Sequence, residues 1–197
     1  MATKRHKDRP PTHKTRIVRN RSSRGDVRPS QVCIHSTESQ DVMRSMTDIN
    51  GVVSWFDNPG SQASSHIIVD GDGNSAQCVP SSEKAWTALQ ANPFTLNIEF
   101  IGRAAQGKSA WEVEQLKTGA KWTAFWALTY GFPIQRGSVG NSHGVAYPKR
   151  KGIITHLDVT RAGFGSHVDP GPNFPMADFI KYAQYYRARG WELAVSA

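Results

Sequence analysis

Between Gly152 and Pro175 the chain places His156, Asp158, His167 and Asp169 among four glycines and several turn formers. A stretch this polar reads as a functional loop rather than core. Imidazole and carboxylate side chains close together are the donor set of a divalent metal. A catalytic zinc takes three protein ligands, commonly two or three of them histidine, and leaves one position for water. The loop therefore reads as half of a metal site whose remaining ligand comes from elsewhere. His35, at the end of the apolar run Val32-Cys33-Ile34, is the candidate.

These residues need elements to hold them. Gln31 to Ile34 reads as a buried strand ending at His35. Ser36 to Ser39 then offers hydroxyls to cap a helix, on which Val42, Met46, Ile49 and Val53 recur until Asn58-Pro59-Gly60 stops it. Ser65 to Val69 and Ser75 to Val79 read as a hairpin around Asp70-Gly71-Asp72-Gly73, which lacks the spacing and closing Glu of an EF-hand calcium loop. Thr95 to Ile101 is a strand with a carboxylate, Glu99, among apolar residues. Ser109 and Glu112 suggest a capping box ahead of a helix that bears Val113, Leu116, Ala120, Ala124 and Ala127 and closes at Gly131. Gly152 to Thr155 is strand-like, and a last helix is expected from Met176 to Arg189. Strands alternating irregularly with helices predict an α/β fold with a central mixed β-sheet flanked by helices.

The 197 residues suit one domain with a sizeable core. The net charge of +8 belongs entirely to residues 1–30, which hold ten Lys and Arg against two Asp; the remainder balances at fourteen of each sign. Such a segment, poor in apolar residues, is expected to be a flexible or loosely packed basic arm preceding a domain over 31–197. It could serve solubility, or tether the protein to an anionic wall polymer, membrane surface or nucleic acid. The neutral body and the lack of a base-reading motif argue against specific nucleic-acid binding. No apolar run is long enough to span a membrane and the first 30 residues lack a secretory pattern, so synthesis in a cytoplasm is expected. Cys33 and Cys78 lie in apolar runs and read as buried free thiols.

Taken together, Val32-Cys33-Ile34-His35-Ser36-Thr37-Glu38, Ser65-His66 leading into Asp70-Gly71-Asp72-Gly73 and Ala85-Trp86-Thr87-Ala88, Leu96-Asn97-Ile98-Glu99-Phe100, and Thr155-His156 with Asp169-Pro170-Gly171-Pro172 resemble the zinc-dependent N-acetylmuramoyl-L-alanine amidases, the family of phage endolysins and peptidoglycan recognition proteins. The resemblance runs from about Gln31 to Phe179, and its specificity lies in the order and spacing of the pieces. It implies Zn2+ held by His35, His156 and Asp169. It also implies that Glu99 is the acid/base that handles the proton of a zinc-activated water. Many members carry Lys two residues before the last ligand, aimed at the oxyanion. His167 stands there in this chain, so activity should depend more on pH than with Lys. Thr87 replaces a histidine common in the tryptophan motif.

What the resemblance implies is a monomeric hydrolase that separates N-acetylmuramic acid from L-alanine in peptidoglycan, an endolysin acting at the wall once released. Two alternatives stand beside it. One is a recognition module that binds wall fragments without cutting them, against which the complete ligand set argues. The other is a cytoplasmic enzyme of wall recycling. His66 is expected to brace the site or the sheet, and His143, Asp158, His6 and His13 to be solvated.

Overall fold

The computed structural model describes residues 9–39 and 46–189 of the chain. Two parallel strands, β3 (Gln31–Ser36) and β7 (Thr95–Phe100), form the middle of a mixed six-stranded sheet. β8 (Ser138–Ser142) and β9 (Val145–Arg150) pair as a separate antiparallel hairpin, and β10 (Gly152–Thr155) pairs with β3 on one side. On the other, β4 (Ile67–Val69), β5 (Ser75–Gln77) and β1 (Lys14–Thr15) complete the order β1-β5-β4-β7-β3-β10. Every pairing is parallel except the β4–β5 hairpin. Its turn is the expected one: Asp70 Oδ1 accepts the amides of Asp72 and Asn74, and Gly73 takes φ +82°. The expected mixed sheet with flanking helices is thus the observed one.

Both faces of the sheet are covered. Val32, Ile34, Leu96, Ile98 and Phe100 pack on α2 (Val113–Tyr130) and α4 (Met176–Arg189), where Trp122, Trp126 and Phe179 are fully buried. Each such aromatic contributes on the order of 2 kcal/mol through burial. On the other face Ile68, Ala76 and Ile101 meet Ile49, Val53 and Phe56 of α1 (Met46–Asp57). Val42 and the approach to α1 lie outside the described residues. Gly131 closes α2 in the left-handed conformation, as its sequence suggests. The Ser109–Glu112 capping box does not form: Lys108–Ala110 makes a 3-10 turn and Glu112 occupies the N-cap without a side-chain capping hydrogen bond. Cys33 and Cys78 are buried free thiols. Among the described residues no helix is long and apolar enough to cross a membrane.

Composition predicts a flexible arm over 1–30, but from Arg9 on the chain is laid along the body. β1 joins the sheet, β2 (Arg21–Ser23) pairs antiparallel with β6 (Glu83–Ala85), and Val18 is fully buried in the α1 cluster. The physical reason is that several basic side chains find acceptors on the body instead of staying in water. Arg16 pairs with Asp57 at 2.9 Å, Arg21 with Glu83 at 2.7 Å, and Arg28 donates to the Tyr130 carbonyl at 2.8 Å. This segment is a strap rather than a tail, and residues 1–8 lie outside the described residues.

Candidate metal centre

The alternation of a β-strand decides which residues of β3 and β7 face the site. Because Val32, Ile34, Leu96, Ile98 and Phe100 point toward α2 and α4, Cys33, His35, Asn97 and Glu99 point the other way. The parallel register sets His35 beside Glu99 and Cys33 beside Asn97. Next to β3, β10 ends at Thr155, the N-cap of α3 (His156–Arg161), and His156 is that helix's first residue. The stretch from Gly152 is therefore loop only in its second half; its first half is strand and helix. Asp158, expected to be solvated, completes a capping box with Thr155 and pairs with Arg136 at 2.6 Å, which fixes the start of α3 and so the His156 ring. Asp169 arrives on the following loop. At Gly171, φ is +82° and an added Cβ would fall 1.9 Å from the Ala104 carbonyl oxygen, so only glycine lets this loop seat against Ala104.

The three expected ligands converge. His35 Nδ1 lies 3.2 Å from His156 Nδ1 and 3.2 Å from Asp169 Oδ2, and His156 Nδ1 lies 3.1 Å from Asp169 Oδ1. All three side chains are buried, and among the described residues they form the one group suited to hold a metal ion. Four ligands about 2.1 Å from a tetrahedral zinc stand roughly 3.4 Å apart. The spacing seen here matches that. Three electron-pair donors crowded together below the surface also need a proton or a cation between them, so the donor set fits zinc.

The electrostatics of Asp169 and His156 point the same way. Burial alone would raise the Asp169 carboxyl, but hydrogen bonds from His156 and His35 outweigh it and hold the group well below the ordinary carboxylate range. Burial lowers His156 to about 4, which leaves its imidazole neutral and able to ligate. Burial also works against a charged His35. Its neighbours Cys33 and Asp169 nevertheless raise it well above the ordinary imidazole value. Glu99 is pushed up to about 8, chiefly by burial, against a lowering by His35 and with Asp169 and Glu38 adding to the rise.

The Glu99 shift has a consequence for stability. From its ordinary 4.5 up to about 8 the native state keeps the Glu99 proton while the unfolded chain releases it, so stability falls as pH rises through that window. In zinc-free protein, Glu99→Gln should therefore become more stable relative to wild type between pH 5 and 8, by about 4 kcal/mol at most. Urea unfolding of both proteins across this range measures the difference, and parallel pH curves would contradict it.

The triad and Glu99 line a groove of about 880 Å3. His167 is at its rim, half exposed, stacked on His156 with ring centroids 4.0 Å apart and with Nδ1 3.7 Å from Asp169 Oδ1. The opposite wall is α1, which turns the exposed Trp55 toward the groove, and Trp86, Thr87 and Leu89 contribute further lining. Thr87 donates its hydroxyl to the Ser64 carbonyl, and Trp86 Nε1 donates to Ser22 Oγ of the strap at 3.0 Å. His66 does not join the triad. It is buried behind Asn97, whose Oδ1 is 3.1 Å from His35 Nε2. Sequence reasoning passed over Asn97, although its place two residues before Glu99 puts it on the same strand face.

A buried cluster of donors suited to a divalent cation, beside a glutamic acid whose pKa burial raises to about 8 and open to a groove, is an arrangement suited to hydrolysis. The family model described as N-acetylmuramoyl-L-alanine amidase matches residues 25–172, and the chain belongs to that family. Over 130 residues, 66% of this chain and 73% of the relative, it is 27% identical to N-acetylmuramoyl-L-alanine amidase A of Achromobacter lyticus. Its fold is similar to the Staphylococcus aureus hydrolase AmiA, solved with its ligand, at TM-score 0.65 and 21% identity, covering 92% of this chain and 87% of that one. AmpD gives TM-score 0.63 at 18% identity over 86% and 93% of the two chains. The amidase LysC of Clostridium intestinale gives 0.59 at 14% over 89% and 98%.

Proposed function

We propose that this protein hydrolyses the amide bond between N-acetylmuramic acid and L-alanine in peptidoglycan, with Zn2+ held by His35, His156 and Asp169. The observation that carries this reading is the meeting of those three side chains, one strand away from a buried Glu99, within a groove. Bound there, zinc would supply Lewis acidity, which lowers the pKa of water and polarises a carbonyl. The protein's own residues do the rest. Glu99, near 8 without a cation and drawn lower by a positive charge beside it, can take a proton from the attacking water and return it to the departing nitrogen. His167, exposed beside His156, can donate an N–H to the oxyanion that develops on the carbonyl. The walls of the groove bind and orient the glycan and peptide on either side of the bond.

We place the enzyme with the wall-lysing endolysins, a reading supported by the similarity of its fold to solved endolysins. The test is to incubate zinc-loaded protein with purified peptidoglycan and with soluble anhydro-muropeptide. New free L-alanine amino groups are expected from both, released faster from intact wall. Binding without release would make the protein a recognition module. Turnover of the soluble substrate alone would move it to wall recycling.

A further inference from the structure

Next to the groove lies a second concavity of about 380 Å3, lined by Lys84 of β6 and by Gln90, Asn92 and Pro93 of the 3-10 turn Leu89–Phe94. Leu89 lines both, so the two share a ridge. The size falls in the range of clefts that hold small ligands. Its walls are tied together by a buried charge. Arg24 of the strap is 6% exposed, and its guanidinium donates to the Glu83 carbonyl of one wall at 2.6 Å and to the Asn92 and Pro93 carbonyls of the other at 3.1 and 2.6 Å. One planar group thus fixes how far apart the walls stand.

The strand period and one side-chain amide set what those walls present. Along β6, Glu83 shares a face with Arg21 and pairs with it at 2.7 Å, so Lys84 and then Trp86 fall on the opposite face. Trp86 lines the groove and Lys84 the second concavity, so one face leads from the first to the second. Across from it, Asn92 Oδ1 accepts the amides of Thr87 at 3.1 Å and Ala88 at 2.6 Å. A flipped amide would set N–H against N–H there. Asn92 Nδ2 is therefore held away from the turn, and among the described residues it has no acceptor. The same grip bends the chain at Leu89, whose φ of +50° is uncommon for a bulky side chain. Leu89 then lies against Gly165, where an added Cβ would stand 2.5 Å from its Cδ1, and it stays 44% exposed. A left-handed leucine left in water contributes little to the core; here it forms an apolar crest with hydrogen-bond donors beyond it.

We propose that the glycan strand runs from the metal centre over Leu89 into this concavity, where Lys84, Gln90 and Asn92 bind the N-acetylated sugar that neighbours the reacting muramic acid. A pyranose ring offers C–H groups to Leu89 and Pro93 and hydroxyl and acetamido oxygens to the three donors. A stem peptide is short and ends in a carboxylate, for which a single ammonium is a poor partner. The glycan is the polymer that has to leave the groove. This inference rests on the amidase reading for the identity of the polymer and deepens it, since it makes strands a better substrate than single muropeptides.

The experiment uses the full, zinc-loaded chain and two substrates with the same stem peptide. One carries it on a single N-acetylmuramic acid, the other on the internal N-acetylmuramic acid of a tetrasaccharide alternating with N-acetylglucosamine. Wild type should show kcat/KM about tenfold higher on the tetrasaccharide, the worth of one or two net hydrogen bonds, with the gain in KM. Lys84→Ala combined with Gln90→Ala should bring the tetrasaccharide to within about threefold of the single sugar, what one remaining hydrogen bond from Asn92 can supply, and leave single-sugar turnover as in wild type. In the 1H–15N spectrum of wild type, the peptide-free tetrasaccharide should shift the side-chain amides of Asn92 and Gln90, and the free stem peptide should not.

Equal turnover of the two substrates by wild type overturns the proposal, as does a double variant that slows both alike. If lengthening the peptide through a cross-link raises turnover and moves the Asn92 amide while lengthening the glycan does neither, the concavity belongs to the peptide and the proposal is likewise overturned. Should the protein hydrolyse neither substrate, the amidase reading fails, and the spectra with the peptide-free tetrasaccharide still judge the subsite. Shifts at Asn92 and Gln90 then uphold it, and their absence overturns it.

Discussion

Glu99→Gln is expected to retain zinc and to lose wall hydrolysis by about 10²–10⁴-fold, the usual share of a positioned acid/base. Glutamine matches the shape of the side chain in a fully packed strand, so β7 and its neighbours should be undisturbed. What disappears is a proton that can be exchanged. The groove setting explains why the effect should be large: burial and the nearby Asp169 carboxylate bring this carboxyl to about 8, close to neutral pH, where an acid/base works in both directions. Release of L-alanine amino groups from purified wall, measured beside metal content by mass spectrometry, separates the two properties. A variant within tenfold of wild type would remove Glu99 from the proton-transfer role.

His35→Ala and Asp169→Ala should differ from it in kind, losing zinc and hydrolysis together. Each removes one corner of a cluster whose members stand 3.1 to 3.2 Å apart. Two remaining donors do not make the three-ligand set of a catalytic zinc. The Asp169 variant should be the more severe in binding, because it also removes the negative charge that offsets the dication in a buried place. Without His35, the Asp169 carboxyl loses one of the two bonds that outweigh its burial, and its pKa should climb. Zinc titration with a chromophoric chelator reads the affinity. Wild-type affinity in either variant would mean that the ion is bound elsewhere.

The candidate site was more legible in the sequence than the frame around it. His35, His156, Asp169 and Glu99 stand in short motifs with constrained neighbours, and the strand period alone sends His35 and Glu99 to a common face. The hairpin at Asp70, the Gly131 stop and the last helix could also be read, since each depends on local turn or cap chemistry. The strap could not. Its composition says only that residues 9–30 have few apolar side chains, and whether an arginine finds a carbonyl fifty or more residues away is a property of the finished fold. Asp158 is the opposite case: its cap is local, but the glycines and turn formers that follow it make the stretch look like loop and hide the short helix α3. At Ser109 a capping pattern was present and unused, as the chain there tightens into a 3-10 turn before α2 begins.

The strap also bears on how this enzyme could be combined with others. Family similarity begins at residue 25, and a cassette cut there for fusion to a new targeting module would discard β1, β2, Val18 and Arg24. The exposed edge of β5, the uncovered α1 cluster and the vacated carbonyls of residues 83, 92 and 93 would then face solvent or the fusion partner. A transplantable unit of this protein begins no later than Arg9, and a linker joined ahead of that point leaves the groove with the backing that it has in the intact chain.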